Sequence, residues 1–554
     1  MRIALMTLNS KFIHSSLALR YLRSAVARDW PNVDLLEFQV NDDPRALLAE
    51  IGRLEPDILA CSCYIWNVEP TLALLRDLRQ VLPETRIILG GPEVGARPLD
   101  ILRSEPAIDY VISGEGEAVF GQLLRALTGH DSPPLSGVFG REHPASNRYA
   151  ERPLDPSLIP PAYLARDLNR LEHRLVYVET SRGCPFGCSY CLSAKDRLRQ
   201  FPLPRVFQEL DLLLWADVPL VKFVDRTFNA DQSRALTIWR YLLANRKQSR
   251  FHFEICADLL TEEALTFLAT VPPGVFQFEI GIQSTDPVTL SAIGRRMHWD
   301  KLTRNIQQLQ ASHNIHLHLD LIAGLPYQGW EGITESFDQV MQLCPDQLQL
   351  GFLKVLPGTP IAEQTAELGF VASSRPPYEV LRSNWLSFAE LNQLHLIEQL
   401  LEDYYNSGLL RETLPYIWTT GTRAPFQLFS ELAEHWQRHE LQRVQHSQDT
   451  LLSLISDWLP LDPILKDLLQ IDRARTLPSF QAQWRLPEQW RANWEDYLNQ
   501  HLDDFSPRTY KQALRSVFPI ALTPATLDYY RQPPNMVAVV DQRRKRLHGF
   551  VELG

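Results

Sequence analysis

The chain has 554 residues, 45% of them hydrophobic and 22% charged, with a net charge of −11. That length leaves room for roughly two to four domains, and the balance is that of an ordinary globular protein rather than a disordered or fibrous one. The acidic excess argues against a broad electrostatic footprint for nucleic acid, no apolar run approaches the ~20 residues of a membrane helix, and seven cysteines, an odd number, suit a reducing cytoplasm better than a disulfide framework. The first residues, Met1 to Asn9, read as a buried strand that turns polar too soon for a signal peptide.

Short apolar runs at 3–8, 33–38, 58–61, 86–89 and 110–112 alternate with helical patterns at 15–28, 44–54, 70–82, 98–104 and 117–127. Five strands alternating with helices predict a doubly wound parallel sheet over residues 1–130, which takes ligands beyond the carboxyl ends of its strands. Glycines and unusual polar residues gather at that edge. Ser62, Tyr64 and Trp66 follow the third run, Gly90 and Gly91 the fourth, and Gly114, Glu115 and Gly116 the fifth. Glycine at such turns lets a ligand approach the backbone. Plain turn chemistry explains any one of them alone; three on one edge predict a ligand cleft. Cys61 ends an apolar run and reads as buried bulk.

Residues 131–174 hold a proline-rich connection, with Pro133, Pro134, Pro144, Pro153, Pro156, Pro160 and Pro161. It is longer than a loop inside one domain, so it is expected to wrap one domain onto the next. A strand at 175–179 then leads into Cys184, Cys188 and Cys191, spaced Cys-x3-Cys-x2-Cys with glycine and proline between them. Such a loop turns three thiolates toward one point, and soft thiolates suit iron–sulfur clusters and zinc. A closed structural zinc wants a fourth ligand, and no Cys or His follows at zinc-finger spacing. Three ligands suit a cubane cluster that leaves one iron without a protein ligand.

With Tyr190 before its last cysteine, this stretch resembles the cluster loop of the radical S-adenosylmethionine (SAM) enzymes. The strand–helix alternation returns at 175–180, 220–224, 251–255, 276–282, 316–322 and 348–356, and six such units over 175–360 suit the partial (β/α)6 barrel of that family. Asp225 and Thr227 stand, by position, where relatives carry a segment facing the amino group of SAM; ordinary capping at a strand end is the alternative. Glu254 and Glu279 are carboxylates inside apolar strands, which is costly unless they face a cavity or a partner. Residues 279–284 resemble the family segment along the ribose and methionine of SAM, which makes Gln283 a SAM contact or else a buried structural hydrogen bond. Cys256 and Cys344 stand alone and read as core residues.

Ahead of that loop, the first sheet resembles the cobalamin-binding domain of the class B radical SAM enzymes, in which the cofactor tail lies on the sheet edge and the corrin faces the barrel. The Asp-x-His-x-x-Gly motif that supplies a cobalt ligand elsewhere is absent, since no aspartate stands two residues before His14. Cobalamin is therefore expected without a protein histidine below the cobalt. Residues 361–554 resemble the poorly understood helical extension of one subset of this family, with amphipathic patterns at 386–405, 426–438, 448–458, 484–498 and 507–518. Trp418, Trp436, Trp458, Trp484, Trp490 and Trp494 are expected to pack those helices. Arg543 to Arg546, between apolar residues 537–540 and 550–551, reads as a solvated hairpin turn.

The resemblance implies a 4Fe-4S cluster, SAM and cobalamin, a flavodoxin- or ferredoxin-type electron donor, and a small-molecule or peptide substrate in the cytoplasm. It implies reductive cleavage of SAM to a 5′-deoxyadenosyl radical, followed by methylation of an unactivated carbon. A cobalamin-assisted rearrangement, cyclisation or oxidation without methyl transfer would use the same residues. The tRNA methylthiotransferases carry three further cluster cysteines near the N-terminus, whereas the first 150 residues here hold only Cys61 and Cys63. A non-enzymatic sensor or corrinoid carrier would leave SAM intact.

Overall fold

Where the sequence is most continuously apolar, the first sheet forms. In the computed structural model, β1 (Ile3–Asn9), β2 (Val33–Gln39), β3 (Ile58–Ser62), β4 (Arg86–Gly90) and β5 (Tyr110–Ile112) pair in parallel. A sixth strand, β6 (Val138–Gly140), joins the edge antiparallel to β5, giving the order β2-β1-β3-β4-β5-β6. Residues 131–174, expected as irregular linker, thus contribute a strand of three residues, too short to show a period. Strands β1, β3 and β5 are buried along their whole length because helices cover both sheet faces. Those helices are α1 (Leu17–Val26), α2 (Pro44–Leu54), α3 (Val68–Val81), α4 (Pro92–Gly95), α5 (Pro98–Ser104) and α6 (Gly116–Leu127). The Ser16 side chain caps α1 by accepting from Leu19 N, and Asp43, followed by Pro44, caps α2. The structure describes all residues except 131, 151–152, 172, 461, 478, 481–487, 506–508, 514, 535 and 553–554. Trp484 and the start of the expected helix at 507 lie outside the described residues.

The second sheet begins with β7 (Val176–Val178). A short antiparallel pair, β8 (Ser181–Arg182) and β9 (Arg199–Gln200), then brackets the cysteine loop. Strands β10 (Leu220–Phe223), β11 (Arg250–Ile255), β12 (Phe276–Gln283), β13 (His316–Ala323) and β14 (Gln347–Phe352) follow, in the order β7-β10-β11-β12-β13-β14. Strand order that follows chain order, with parallel pairing, is the partial barrel expected from the sequence. Along β12 and β13 every second side chain is buried, Phe276, Phe278 and Ile280 on one strand and Leu317, Leu319 and Leu321 on the other. The intervening Glu279, Gly281 and Gln283, with His318 and Asp320, form the opposite, partly open face.

Connections between the two sheets are built from the linker. Arg23 of α1 pairs with Asp167, both side chains only 5% exposed, and Ala162 N donates to buried Glu209 Oε1 at 2.9 Å. Ser15 Oγ donates to Leu175 O at 2.7 Å. Both sheets belong to one unit, residues 1–336, 343–345 and 349–388; a second unit comprises 337–342, 346–348 and 389–554. The boundary at 388 lies beyond the expected 360, because the hairpin β15 (Val371–Ala372) and β16 (Val380–Arg382) belongs to the first unit.

The second unit carries helices at Pro425–Arg438, Gln448–Trp458 and Pro463–Thr476, and buries Trp436 and Trp494 completely. Its last part adds a sheet to the mainly helical region expected from the sequence. Three antiparallel strands, β17 (Val517–Ala521), β18 (Met536–Asp541) and β19 (Arg546–Glu552), form a sheet. Val517 and Phe518, expected at a helix end, are strand, and Pro519 is tolerated because β17 is an edge. The basic run turns between β18 and β19 as expected. Cys344 is also corrected: it is exposed at a left-handed turn (φ 47°), not a core residue, whereas Cys256 is buried. Among the described residues no helix is long and apolar enough to cross a membrane.

Candidate functional site

The cysteine loop owes its shape to neighbouring backbone. Gly183 (φ 77°) faces the carbonyls of Asp196 and Arg197, where any Cβ would collide. Cys184 N donates to Asp196 O (3.1 Å), Cys191 N to Cys188 O (3.0 Å) and Ser189 N to Ile293 O (2.9 Å). Cys184, Cys188 and Cys191 then line one cavity at the carboxyl ends of β10 to β13, together with Tyr190, Thr227, Glu254, Cys256, Glu279, Gln283, Arg295 and Asp320. Cys184 Sγ lies 3.6 Å from Thr227 Oγ1, and Arg295 Nη1 reaches Cys188 Sγ at 3.9 Å. Among the described residues no three His, Cys, Asp or Glu side chains are grouped to hold a single metal ion.

The opposite wall is acidic. Glu254 and Glu279 are paired in register, and Asp320 stands opposite Gly281 on the next strand. Burial raises the Glu254 carboxyl to about 7 and that of Asp320 to about 8, the neighbouring carboxylates adding to both. Glu279 is held low by a hydrogen bond from His252 Nε2, 3.1 Å away. Gln283, at a β-bulge with φ 73°, folds over Gly281 and leaves its Oε1 buried without a partner. Asp320 Oδ1, 3.4 Å from His318 Nε2, and Arg295 Nε are likewise without a hydrogen bond. Unsatisfied buried donors and acceptors beside carboxylates fit a ligand carrying both an amino-acid group and a positive charge, as SAM does. Three cysteines in the same cavity fit a cluster with one open iron.

Not every expected SAM contact reaches this cavity. Asp225 is fully buried and accepts from Thr180 N (2.9 Å), Thr180 Oγ1 (2.7 Å) and Ser181 Oγ (2.6 Å), so it fixes the entry to the cysteine loop. Thr227, Tyr190, Glu254, Glu279 and Gln283 do line it. Sequence reasoning missed Arg226, Arg295, Asp320 and Cys256 as cavity residues. Asp320 carried the same signal as Glu254 and Glu279, a carboxylate within an apolar strand. Asn229 clamps Cys256 from both sides of its backbone, at 2.8 Å each.

A second cavity opens at the carboxyl edge of the first sheet. Ser62, Tyr64, Gly90, Gly91, Gly114, Glu115 and Gly116 line it, with Glu117 and Arg182. Trp66 does not; it stands half exposed and stacks on Tyr64 at 4.4 Å. A Cβ on Gly90 would meet only Ile112 O at 3.9 Å, and one on Gly114 nothing within 4 Å, so side-chain-free backbone forms this wall. Such a bare edge fits a bulky cofactor tail. His14 is outside it, with Nδ1 2.5 Å from Tyr177 Oη. Cys61 and Cys63 are buried, and burial raises both thiols, Cys63 to about 12.

Comparison with known proteins finds three family domains along the chain. The B12 binding domain matches residues 3–124, the Radical SAM superfamily residues 178–340, and a protein of unknown function (DUF4080) residues 366–512. The 2-(S-pantetheinyl)-carbapenam-3-carboxylate methyltransferase of Streptantibioticus cattleyicolor is 29% identical over 333 residues, 56% of this chain and 48% of that one. The cobalamin-dependent radical SAM methyltransferase TokK of Streptomyces tokunonensis is 28% identical over the same shares. This chain therefore spans about half the length of those relatives. The solved structure of the cobalamin-dependent SAM radical enzyme OxsB, with aqua-cobalamin and SAM bound, shares the fold at a TM-score of 0.58 and 16% identity, covering 91% of this chain and 84% of that one. With one cavity lined by three thiols and another by a glycine edge, the chain joins a B12 binding domain to a radical SAM domain.

Proposed function

We propose that this chain methylates an unactivated carbon of a small-molecule or peptide substrate, using a 4Fe-4S cluster, SAM and cobalamin. The observation that carries the reading is Arg182, which lines the glycine-edged cavity and lies two residues before Cys184. The two cavities thus adjoin within a single unit. When bound, the cluster and SAM supply radical chemistry and cobalamin supplies a transferable methyl group.

The chain's own residues have simpler tasks. Cys184, Cys188 and Cys191 would hold the cluster. Glu279, kept ionised by the hydrogen bond from His252, would balance positive charge on SAM, while Gln283 and Arg295 would offer the hydrogen bonds that orient it. Gly90 and Gly114 leave room for the cobalamin tail. A flavodoxin- or ferredoxin-type protein delivers electrons, and seven cysteines without a disulfide suit a cytoplasmic setting.

The test is anaerobic reconstitution with cobalamin and reductant, followed by incubation with cell extract and methyl-labelled SAM. A labelled product formed together with S-adenosylhomocysteine and 5′-deoxyadenosine is expected. Unlabelled product with 5′-deoxyadenosine alone would replace methylation by rearrangement, cyclisation or oxidation. Intact SAM would make the protein a carrier or sensor.

A further inference from the structure

Arg182 does more than line a cavity wall. Its Nη2 donates to Glu117 Oε1 (2.5 Å) and Glu179 Oε1 (2.7 Å), its Nε donates to Glu179 Oε1 (2.9 Å), and its Nη1 lies 3.2 Å from Glu115 Oε1. The guanidinium also stacks over Tyr21 and Phe201, at 5.4 and 5.7 Å from the ring centres. Only 13% of the side chain is exposed. Glu115 in turn takes Arg199 Nη2 at 2.8 Å and Leu154 N at 2.6 Å.

These contacts have a particular geography. Glu115 and Glu117 stand at the N-terminus of α6, on the turn that edges the cobalamin-type cavity. Arg182 belongs to β8, which enters the cysteine loop, and Arg199 to β9, which leaves it; the two residues are paired in register. Both strands that bracket the three thiols are therefore held by carboxylates of a single turn in the other cofactor's cavity. No helix or sheet layer intervenes. Charge-assisted, nearly buried contacts of this kind are stiff, because any displacement uncovers an unpaired charge.

We propose that this carboxylate–guanidinium clamp couples the two cofactor sites, so that a ligand seated on residues 114–117 fixes the cluster loop through Arg182 and Arg199. The inference rests on the cofactor reading above. Coupling is reciprocal: cobalamin and SAM must raise each other's affinity by the same factor, typically about 5- to 150-fold where sites communicate. Three carboxylates, Glu115, Glu117 and Glu179, face two guanidiniums, and burial raises the Glu179 carboxyl to about 7. Glu117→Gln leaves Arg182 with two carboxylates and preserves side-chain volume. It is the variant least disturbing to the fold.

The experiment uses the full chain with its cluster reconstituted. Cobalamin binding is titrated by absorbance with and without saturating SAM, and SAM binding with and without cobalamin. Wild type is expected to show equal enhancement in both directions. In Glu117→Gln the factor should fall toward one while iron content stays unchanged. Glu115→Gln, which removes the negative charge facing both Arg182 and Arg199, carries the same expectation. Independent binding in wild type, or wild-type coupling retained in both variants, overturns the clamp and leaves the cofactor reading intact. Failure of wild type to bind cobalamin at all overturns both together.

Discussion

Cysteine takes three different roles in this chain, and its surroundings decide which. Cys61 and Cys63 are buried in the first core, where burial keeps them as thiols. Cys344 is exposed on a turn, and Cys184, Cys188 and Cys191 share a cavity with Arg295. Replacing any of the last three by Ala should abolish cluster iron, measured anaerobically, whereas Cys61→Ala should keep it and cost about 1–2 kcal/mol in chemical denaturation. Loss of iron in Cys61→Ala would overturn the ligand assignment. The carboxylates differ in the same way. Glu254 and Asp320 have folded pKa values of about 7 and about 8, above those of unfolded carboxyls. Between roughly pH 4 and 8 the native state thus binds more protons than the unfolded one, and these groups make ligand-free protein less stable as pH rises. Asp320→Asn should flatten that decline between pH 6 and 8, by up to about 1.4 kcal/mol per pH unit. Parallel melting curves for variant and wild type across this range would refute it.

At the scale of elements, the glycine turns divide into two kinds that look alike in sequence. Gly91 has φ 105°, and a Cβ there would strike the backbone of Cys63. Gly91→Val should therefore destabilise the sheet by more than about 2 kcal/mol and lower both cofactors together. Gly90 meets only Ile112 O at 3.9 Å, so Gly90→Val should leave melting and iron nearly unchanged while reducing cobalamin occupancy severalfold. Full cobalamin occupancy in Gly90→Val would mean that the edge does not carry the tail. The strands themselves were legible because short apolar runs alternate with amphipathic helices, and the cysteine spacing was legible because it is local. Features that depend on partners far along the chain were not. Asp225 stood at the expected strand end, yet its oxygens are taken by Thr180 and Ser181. Arg182 lay just ahead of the cysteine motif, but its meaning comes from Glu117, 65 residues earlier. Strand β17 was hidden by Pro519, which only an edge position allows.

For the first unit as a whole, the decisive segment is the linker. Asp167 meets Arg23 of α1 at 5% exposure for both side chains, and its second role is to accept from Leu164 N. Ala162 is bound to Glu209 on the barrel side, while Ser15 and His14 reach Leu175 and Tyr177 from the sheet side. A connection tied to both partners along its length prevents either sheet from losing structure alone. Removing one member of a buried ion pair leaves the other uncompensated, a cost of about 3–5 kcal/mol, whereas an exposed pair is worth at most about 1 kcal/mol. Asp167→Asn, which keeps an acceptor for Leu164 but strands the Arg23 charge, should cost on the order of 3 kcal/mol. Asp100→Asn, at the exposed Arg103 pair (76% and 65%), should change stability by less than about 1 kcal/mol. Cluster absorbance and cobalamin release, followed in the same anaerobic denaturant titration, should change at one midpoint, and Asp167→Asn should move both signals together. Two separated midpoints, with only one of them shifted by the variant, would show that the sheets unfold independently and that the linker merely joins them.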